Sequence, residues 1–157
     1  MVLKKKIILS GFFLLLLSSN LFAAKIPALK GYVNDYANVV SQRDEQEITD
    51  YLSSLENTTG IQIAVLTMPS LDGEDISSFS IRVCDEWKLG QADKDNGALL
   101  LLAMEERDIR IEVGYGLEGK LTDAKCGLII RNVIIPEFQE GDYSSGLLKG
   151  AKNMGGI

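Results

Sequence analysis

Five polar side chains between residues 93 and 123 have the types and spacing best suited to chemistry. They are three aspartates, one glutamate and one asparagine: Asp93, Asp95, Asn96, Glu118 and Asp123. Oxygen atoms of this kind, gathered in one place, either repel one another or share a hard cation such as calcium. The spacing contains no EF-hand pattern. The alternative that Asp95 and Asp123 are only turn formers or helix caps therefore stays open.

A predicted β-hairpin would bring these side chains to one edge of a sheet. Residues 98–103 form a short apolar run typical of a buried strand, and apolar and charged residues alternate over residues 109–113. A hairpin returns the chain to the edge that it left, so the start of the first strand should lie beside the loop that follows the second. The residues predicted to surround the site are Gly97, Gly114, Tyr115, Gly116 and Gly119.

Three of these glycines spell the G-x-G-x-x-G pattern of dinucleotide-binding loops. Two features argue against a nucleotide. Glu118 and Asp123 would face a pyrophosphate at a helix start that should attract anions. The preceding strand is also the second arm of a hairpin rather than the first strand of a βαβ unit. We expect no bound nucleotide, and we expect the glycines to supply positive φ in a tight loop.

Other candidates for chemistry are few. Arg110 could contact an anionic substrate, although its alternation with apolar residues equally fits a solvated pair with Glu112. Cys84 and Cys126 are the only cysteines, and they are either a disulfide or two small core residues of separate helices. The chain has no histidine. Any hydrolysis would therefore need a metal ion to activate water.

The first residues have the pattern of a secretory signal peptide. Three lysines precede a largely apolar run over residues 7–22, and Ala23 and Ala24 follow before the chain turns polar. The cleavage site is imperfect, because Leu21 or Phe22 occupies the position where a small residue is preferred. An uncleaved membrane anchor is the alternative, although the run is short for a spanning helix.

We therefore divide the chain into a signal peptide at residues 1–24 and one domain at residues 25–157, exported to the periplasm or the medium. The whole chain has a formal net charge of −6, and the leader contains three lysines and no acidic residue. An acidic exported domain argues against nucleic acid and anionic lipid as partners. Its charge is compatible with binding cations.

Helical and strand patterns alternate along the domain. Residues 25–40 look extended or irregular, Pro136 is expected to stop the third helix, and a fourth helix begins near Asp142. Ser41 and Thr122 are predicted to cap the first and third helices, and Asp75 or a neighbour is predicted to start the second. The order of elements predicts an α/β domain with helices packed on a small mixed sheet. Three aromatic residues are expected to pack rather than to bind ligand: Trp87, Tyr115 and Phe138.

Several segments resemble the TPM domain, a family named for a plant thylakoid lumen protein, a photosystem II repair protein and a nematode receptor modulator. The matching segments are GYVNDYANVVS (31–41), TGIQIAVLT (59–67), DNGALLLLA (95–103), RDIRIEVGYGLEGKLTDA (107–124), IIPEF (134–138) and GDYSSGLLKG (141–150). The resemblance implies a Rossmann-like, three-layer α/β/α sandwich in an exported or lumenal protein.

The same resemblance implies two functions. Some members bind calcium, animal and bacterial members resemble accessory or adaptor domains, and plant members are described as acid phosphatases. The polar motif residues that it points to are Asp35, Asp95, Asn96, Glu118 and Asp123. We expect a calcium-binding accessory module of the cell envelope with a protein partner and, after signal cleavage, no membrane association. The alternative is a metal-dependent acid phosphatase, so whether the protein is an enzyme stays open.

Overall fold

The computed structural model describes residues 23–156, so most of the predicted signal peptide lies outside the described residues. No helix in residues 23–156 has the length and apolar character needed to cross a membrane. The strands are β1 (Val33–Asp35), β2 (Gln62–Met68), β3 (Gly97–Ala103) and β4 (Asp108–Val113). The helices are α1 (Gln42–Thr59), α2 (Ile76–Trp87), α3 (Asp123–Ile129), α4 (Ile135–Gln139) and α5 (Tyr143–Gly155).

The four strands form one mixed sheet in the order β1-β2-β3-β4. The first three strands are parallel, and β4 pairs antiparallel with β3. The predicted hairpin is confirmed, because Ala98 at the start of β3 pairs with Val113 at the end of β4. The sequence prediction of an irregular segment at residues 25–40 missed β1, which has only three residues.

Helices cover both faces of the sheet, as the sandwich prediction requires. Every residue of β3 is buried, and its side chains alternate between two apolar clusters. One cluster joins Leu100 to α1, α3 and α5, whereas the other joins Leu101 to α2. A strand buried on both sides needs a continuous apolar sequence, which the run of four leucines in β3 provides.

The predicted N-caps Ser41 and Thr122 are confirmed, and Asp75, which was predicted to lie at or near the start of the second helix, is its N-cap. The side chain of Ser41 accepts a hydrogen bond from the Asp44 amide, and Asp75 and Thr122 cap α2 and α3 in the same way. Each such cap contributes about 1 kcal/mol by satisfying an amide that has no partner within the helix.

The expectation that Pro136 stops the third helix is wrong. After α3 the chain makes a wide π-helical turn over Ile130–Ile134 and continues directly into α4, where Pro136 occupies the first turn. Proline lacks an amide hydrogen, and in a helix interior its ring collides with the carbonyl four residues before it. In the first turn of α4 neither difficulty arises, so the chain keeps its direction.

Candidate functional site

Asp95 joins the turn before β3 to the loop after β4. Its Oδ2 accepts a hydrogen bond from the Tyr115 amide at 2.9 Å, and its carbonyl oxygen accepts one from the Gly116 amide at 3.0 Å. The residue has a φ of 46°, a left-handed conformation that aspartate adopts more readily than most residues. The hairpin therefore brings together two loops that are 20 residues apart in sequence.

The glycines of the GYG segment, residues 114–116, allow its backbone to approach that of residues 94–95 closely, and they are not needed for positive φ. An added Cβ at Gly116 would lie 1.9 Å from the Lys94 carbonyl oxygen, and one at Gly114 would lie 2.4 Å from the Asp95 carbonyl oxygen. Neither glycine has positive φ, which corrects the sequence prediction. At the third position, Gly119, an added Cβ would meet nothing within 4 Å. The two backbones thus touch with no room for side chains between them.

The joined loops form one wall of a small acidic cleft. Three carboxylates from three different elements line its volume of about 170 Å³, namely Asp85 of α2, Asp95 and Glu112 of β4. Ile81 and Tyr115 also line it, and they are 47% and 79% exposed. The prediction that Tyr115 is a packing residue is wrong, because the turn that begins at Tyr115 directs its ring to solvent. We call this feature the acidic cleft.

Glu112 is partly engaged within the fold. Its Oε2 accepts hydrogen bonds from the buried Ser80 hydroxyl at 3.0 Å and from Arg110 Nε at 2.8 Å. The alternative that Arg110 pairs with Glu112 is therefore confirmed. Since the guanidinium neutralises part of the charge of Glu112, Asp85 and Asp95 contribute most of the remaining negative charge of the acidic cleft.

Cys84 also lines the acidic cleft, and the negative charge of the cleft affects the pKa of its thiol. Burial first, and then the charges of Glu112, Asp85 and Asp95, raise the pKa of this thiol to about 12. Both Cys84 and Cys126 are free thiols. They pack on opposite faces of the sheet, so they do not form an intrachain disulfide.

Three of the predicted ligands, Asn96, Glu118 and Asp123, do not line the acidic cleft. The side chain of Asn96 is committed to the fold, since its Oδ1 accepts from the Gln91 amide and its Nδ2 donates to the Gly60 carbonyl. Glu118 and Asp123 are exposed on the loop and at the start of α3. Of the five predicted ligands, only Asp95 reaches the acidic cleft.

Asp35 lies at the opposite end of the sheet. It is the last residue of β1 and pairs with Thr67 near the end of β2, whereas Asp95 precedes the first residue of β3. Both Asp35 oxygens are engaged: Oδ1 accepts from the Thr67 hydroxyl and the Val39 amide, and Oδ2 accepts from the Val40 amide. The structure therefore does not bring Asp35 together with the other four predicted ligands.

These positions decide what kind of cation site the acidic cleft can offer. Within residues 23–156, no group of three or more aspartate, glutamate or cysteine side chains is arranged to hold one metal ion. Calcium also accepts backbone carbonyl and water oxygens, and sites with few carboxylates are weak. The described residues therefore do not fit a closed site of five protein ligands, and Asp95 is the predicted ligand that is left exposed at the acidic cleft.

Sequence reasoning missed Asp85 and Glu112. A signal for Glu112 was present, because it alternates with Ile111 and Val113 and so had to face the α2 side of the sheet. Asp85 lies on the exposed side of α2 next to Cys84 and had no comparable signal. Only the packing of α2 against β4 brings it to the acidic cleft.

Comparisons with known proteins agree with this fold. A family model described as TPM domain matches residues 33–157. The solution NMR structure of the N-terminal domain of a protein from P. gingivalis is 32% identical, with a TM-score of 0.74 and 79% of each chain covered. The N-terminal domain of cg2496 from Corynebacterium glutamicum is 23% identical, with a TM-score of 0.63, and covers 84% of this chain and 83% of its own.

A third solved structure has the same fold. The BA42 protein of the psychrophilic bacterium Bizionia argentinensis is 23% identical, with a TM-score of 0.62, over 74% of this chain and 79% of its own. No curated protein matches the chain.

Proposed function

The chain belongs to the TPM domain family, and on that premise we propose that it is an exported accessory module of the cell envelope whose binding surface is the acidic cleft. Calcium is the proposed ion, and an envelope protein is the proposed partner. The observation that carries the proposal is the convergence of Asp85, Asp95 and Glu112 on one cleft.

The build of the acidic cleft supports a binding role. Asp95 and the GYG segment are locked together by two hydrogen bonds and by contacts that leave no space for a Cβ. A rigid wall needs little ordering when a ligand binds, which favours affinity. Exposed Ile81 and Tyr115 beside the carboxylates offer apolar contact to a protein partner.

Calcium suits the charge of the acidic cleft. Asp95 directs an oxygen toward the backbone of Tyr115 while remaining exposed, so it can also contact solvent or an ion. Because carbonyl and water oxygens would complete the shell, we expect a dissociation constant on the order of 0.1–1 mM, as in extracellular calcium modules. An ion in the acidic cleft would lower the repulsion among its carboxylates and prepare the surface for a partner.

The acid phosphatase alternative has less support. A phosphomonoester carries negative charge and needs a cationic group beside the metal ion. Arg110 is the cation that the sequence offered for this purpose, and its Nε is held by Glu112 at 2.8 Å. We therefore propose binding rather than hydrolysis as the function of the acidic cleft.

Calorimetric titration with calcium tests the proposal. We expect saturable heat with the wild-type protein and at least a fivefold weaker affinity for Asp95→Asn. Asparagine tolerates the left-handed backbone at this position and keeps an oxygen for the Tyr115 amide, so the variant removes charge and preserves shape. Glu118→Gln is the matched control, because it removes an exposed carboxylate of the same loop that does not line the acidic cleft.

Phosphatase assays on the same samples separate the two functions. Absence of calcium heat in the wild type, or equal affinity in wild type and Asp95→Asn, contradicts the proposed cation site. Phosphate release that disappears with a chelator and with Asp95→Asn would instead favour metal-dependent hydrolysis at the acidic cleft.

A further inference from the structure

The segment that precedes β1 lies along α2, and Ala24 is its first buried residue within residues 23–156. Ala23 is exposed, whereas Ala24 is only 3% exposed and packs in the apolar cluster of α2. The Ala24 amide donates to Glu74 Oε2 at 2.8 Å, and Arg82 Nη2 donates to the Ala24 carbonyl at 2.7 Å. The change from solvent to core thus falls between two adjacent alanines.

Glu74 and Arg82 also bind each other, which closes a ring of three partners. Arg82 Nε and Nη2 contact the two oxygens of Glu74 at 2.9 and 2.7 Å. The Glu74 side chain is only 12% exposed. Hydrogen bonds from Arg82, and to a lesser extent from the Ala24 amide, lower the pKa of Glu74 and keep it ionised. A partly buried, ionised carboxylate therefore faces the nitrogen of Ala24.

The residues after Ala24 are fixed in the same manner. Trp87 Nε1 donates to the Pro27 carbonyl at 2.9 Å, and the Tyr36 hydroxyl donates to the Ala28 carbonyl at 2.6 Å. The segment has no regular secondary structure, so these side chains take the place of a sheet or helix in satisfying its backbone. From Ala24 onward the chain is part of the folded domain.

The sequence alone leaves two candidate bonds for signal cleavage. Cleavage after Ala23 places Leu21 at the position where a small residue is preferred, and cleavage after Ala24 places Phe22 there. Neither bond satisfies the rule better than the other. The structure distinguishes them, because cleavage after Ala24 removes the residue that Glu74 and Arg82 hold.

We propose that export hydrolyses the bond between Ala23 and Ala24, one residue before the boundary predicted from the sequence, and that the new α-ammonium group of Ala24 binds the Glu74 carboxylate. The inference rests on the proposed export. A signal peptidase supplies the catalysis and water is the co-reactant. The C–N bond breaks, the water oxygen joins the Ala23 carbonyl carbon to form a carboxylate, and the Ala24 nitrogen keeps the electron pair and becomes protonated.

Cleavage at this bond strengthens a contact that the unprocessed chain already makes. Before cleavage a neutral amide donates to Glu74. After cleavage the donor is charged as well, so Coulombic attraction is added to a hydrogen bond whose acceptor is already ionised. Because Ala23 is exposed, the bond that precedes Ala24 lies at the surface of the described domain. Processing thus completes the docking of the first segment on α2.

The first test is the N-terminal sequence of the product secreted from cells that express the full chain with its own leader. The expected sequence begins at Ala24. A product that begins at Lys25 overturns this inference and leaves the proposed export intact. A secreted product that retains residues 1–22 also overturns the inference. Absence of the protein from every exported fraction overturns both the inference and the export on which it rests.

The second test measures the ion pair in the secreted protein. The midpoint of the pH titration of the Ala24 methyl resonance reports the α-amino pKa, with Glu74 and Arg82 as the charged side chains in contact with Ala24. Glu74→Gln keeps the shape and removes the charge, so we expect it to lower the midpoint by at least half a pH unit. Glu137→Gln, which breaks the pair with Lys149 elsewhere, should not move it. Equal midpoints in wild type and Glu74→Gln overturn the inference.

Discussion

Each end of the sheet has an aspartate whose carboxylate accepts hydrogen bonds from a neighbouring segment of the chain. The two aspartates, Asp35 and Asp95, differ in how many of their carboxylate oxygens are engaged by the protein. Both oxygens of Asp35 are engaged by Thr67 and by two amides of its own turn. Asp95 uses one carboxylate oxygen for the Tyr115 amide and stays exposed at the acidic cleft. A motif carboxylate can therefore be a structural cap or a ligand, and its hydrogen bonds indicate which.

The largest expected effect on stability comes from forcing apart the two loops that meet at Asp95, the turn before β3 and the loop after β4. Gly116→Ala would place a Cβ 1.9 Å from the Lys94 carbonyl oxygen, and both sides of this contact are backbone that moves little. We expect a loss of about 2–3 kcal/mol in the free energy of unfolding, measured in urea. Gly119→Ala is the control, since its Cβ has no neighbour within 4 Å, and it should change stability by less than about 0.5 kcal/mol. Equal effects would contradict the close approach.

Asp35→Ala should destabilise the protein by about 2 kcal/mol without changing calcium affinity. The substitution leaves the buried Thr67 hydroxyl and two amides without their acceptor. Urea unfolding and calorimetry of one sample measure both quantities. Loss of calcium heat with little loss of stability would reverse the roles that we assign to the two ends.

Position 95 should tolerate substitution by asparagine but not by a β-branched residue. Its φ of 46° is accessible to asparagine but strained for valine. We expect Asp95→Val to lower the free energy of unfolding by about 1–2 kcal/mol and Asp95→Asn by less than about 0.5 kcal/mol. A large loss with asparagine would mean that the charge, and not the backbone conformation, holds the two loops together.

The smallest predicted change is in the alkylation rate of Cys84. The pKa of this thiol is about 12, against an ordinary value of 9.0. At pH 8 its thiolate fraction should be about a thousandfold below that of an unperturbed cysteine, so alkylation should be slow. Because three carboxylates contribute to this shift, Glu112→Gln or saturating calcium should lower the pKa and speed alkylation severalfold. Mass spectrometry of the Cys84 peptide gives the rate.

Asp123→Asn is the control for the alkylation rate. Its charge raises the pKa of Cys126 on the other face of the sheet and is not among the causes of the shift at Cys84. The variant should leave the rate at Cys84 unchanged. A rate that responds neither to Glu112→Gln nor to calcium would show that burial alone suppresses this thiol.

Local patterns in the sequence predicted much of the fold. N-caps and hairpins depend on residues close in sequence, so Ser41, Asp75 and Thr122 were identified correctly as helix starts. Three-residue β1 has too few positions to show alternation. The passage through Pro136 depends on a π-helical turn that has no marker in the sequence.

The site was less predictable because it depends on contacts between distant elements. The hairpin correctly placed Asp95 beside the GYG segment. The family motif did not indicate at which end of the sheet Asp35 lies. Its position is set by the parallel pairing of β1 with β2, which places Asp35 beside Thr67. Asp85 enters through the packing of α2 on β4. The glycine pattern was present in the sequence. Its cause, the close approach of two backbone segments, could be seen only in the structure.

An NMR titration of ¹⁵N-labelled protein with calcium tests the central claim, that the acidic cleft and not the Asp35 end is the cation-binding surface. The account predicts saturable amide shifts centred on Asp85, Asp95, Gly114 and Tyr115, with Asp35 and Thr67 unmoved. Shifts centred on Asp35 and Thr67, or no saturable shift at millimolar calcium, would contradict it.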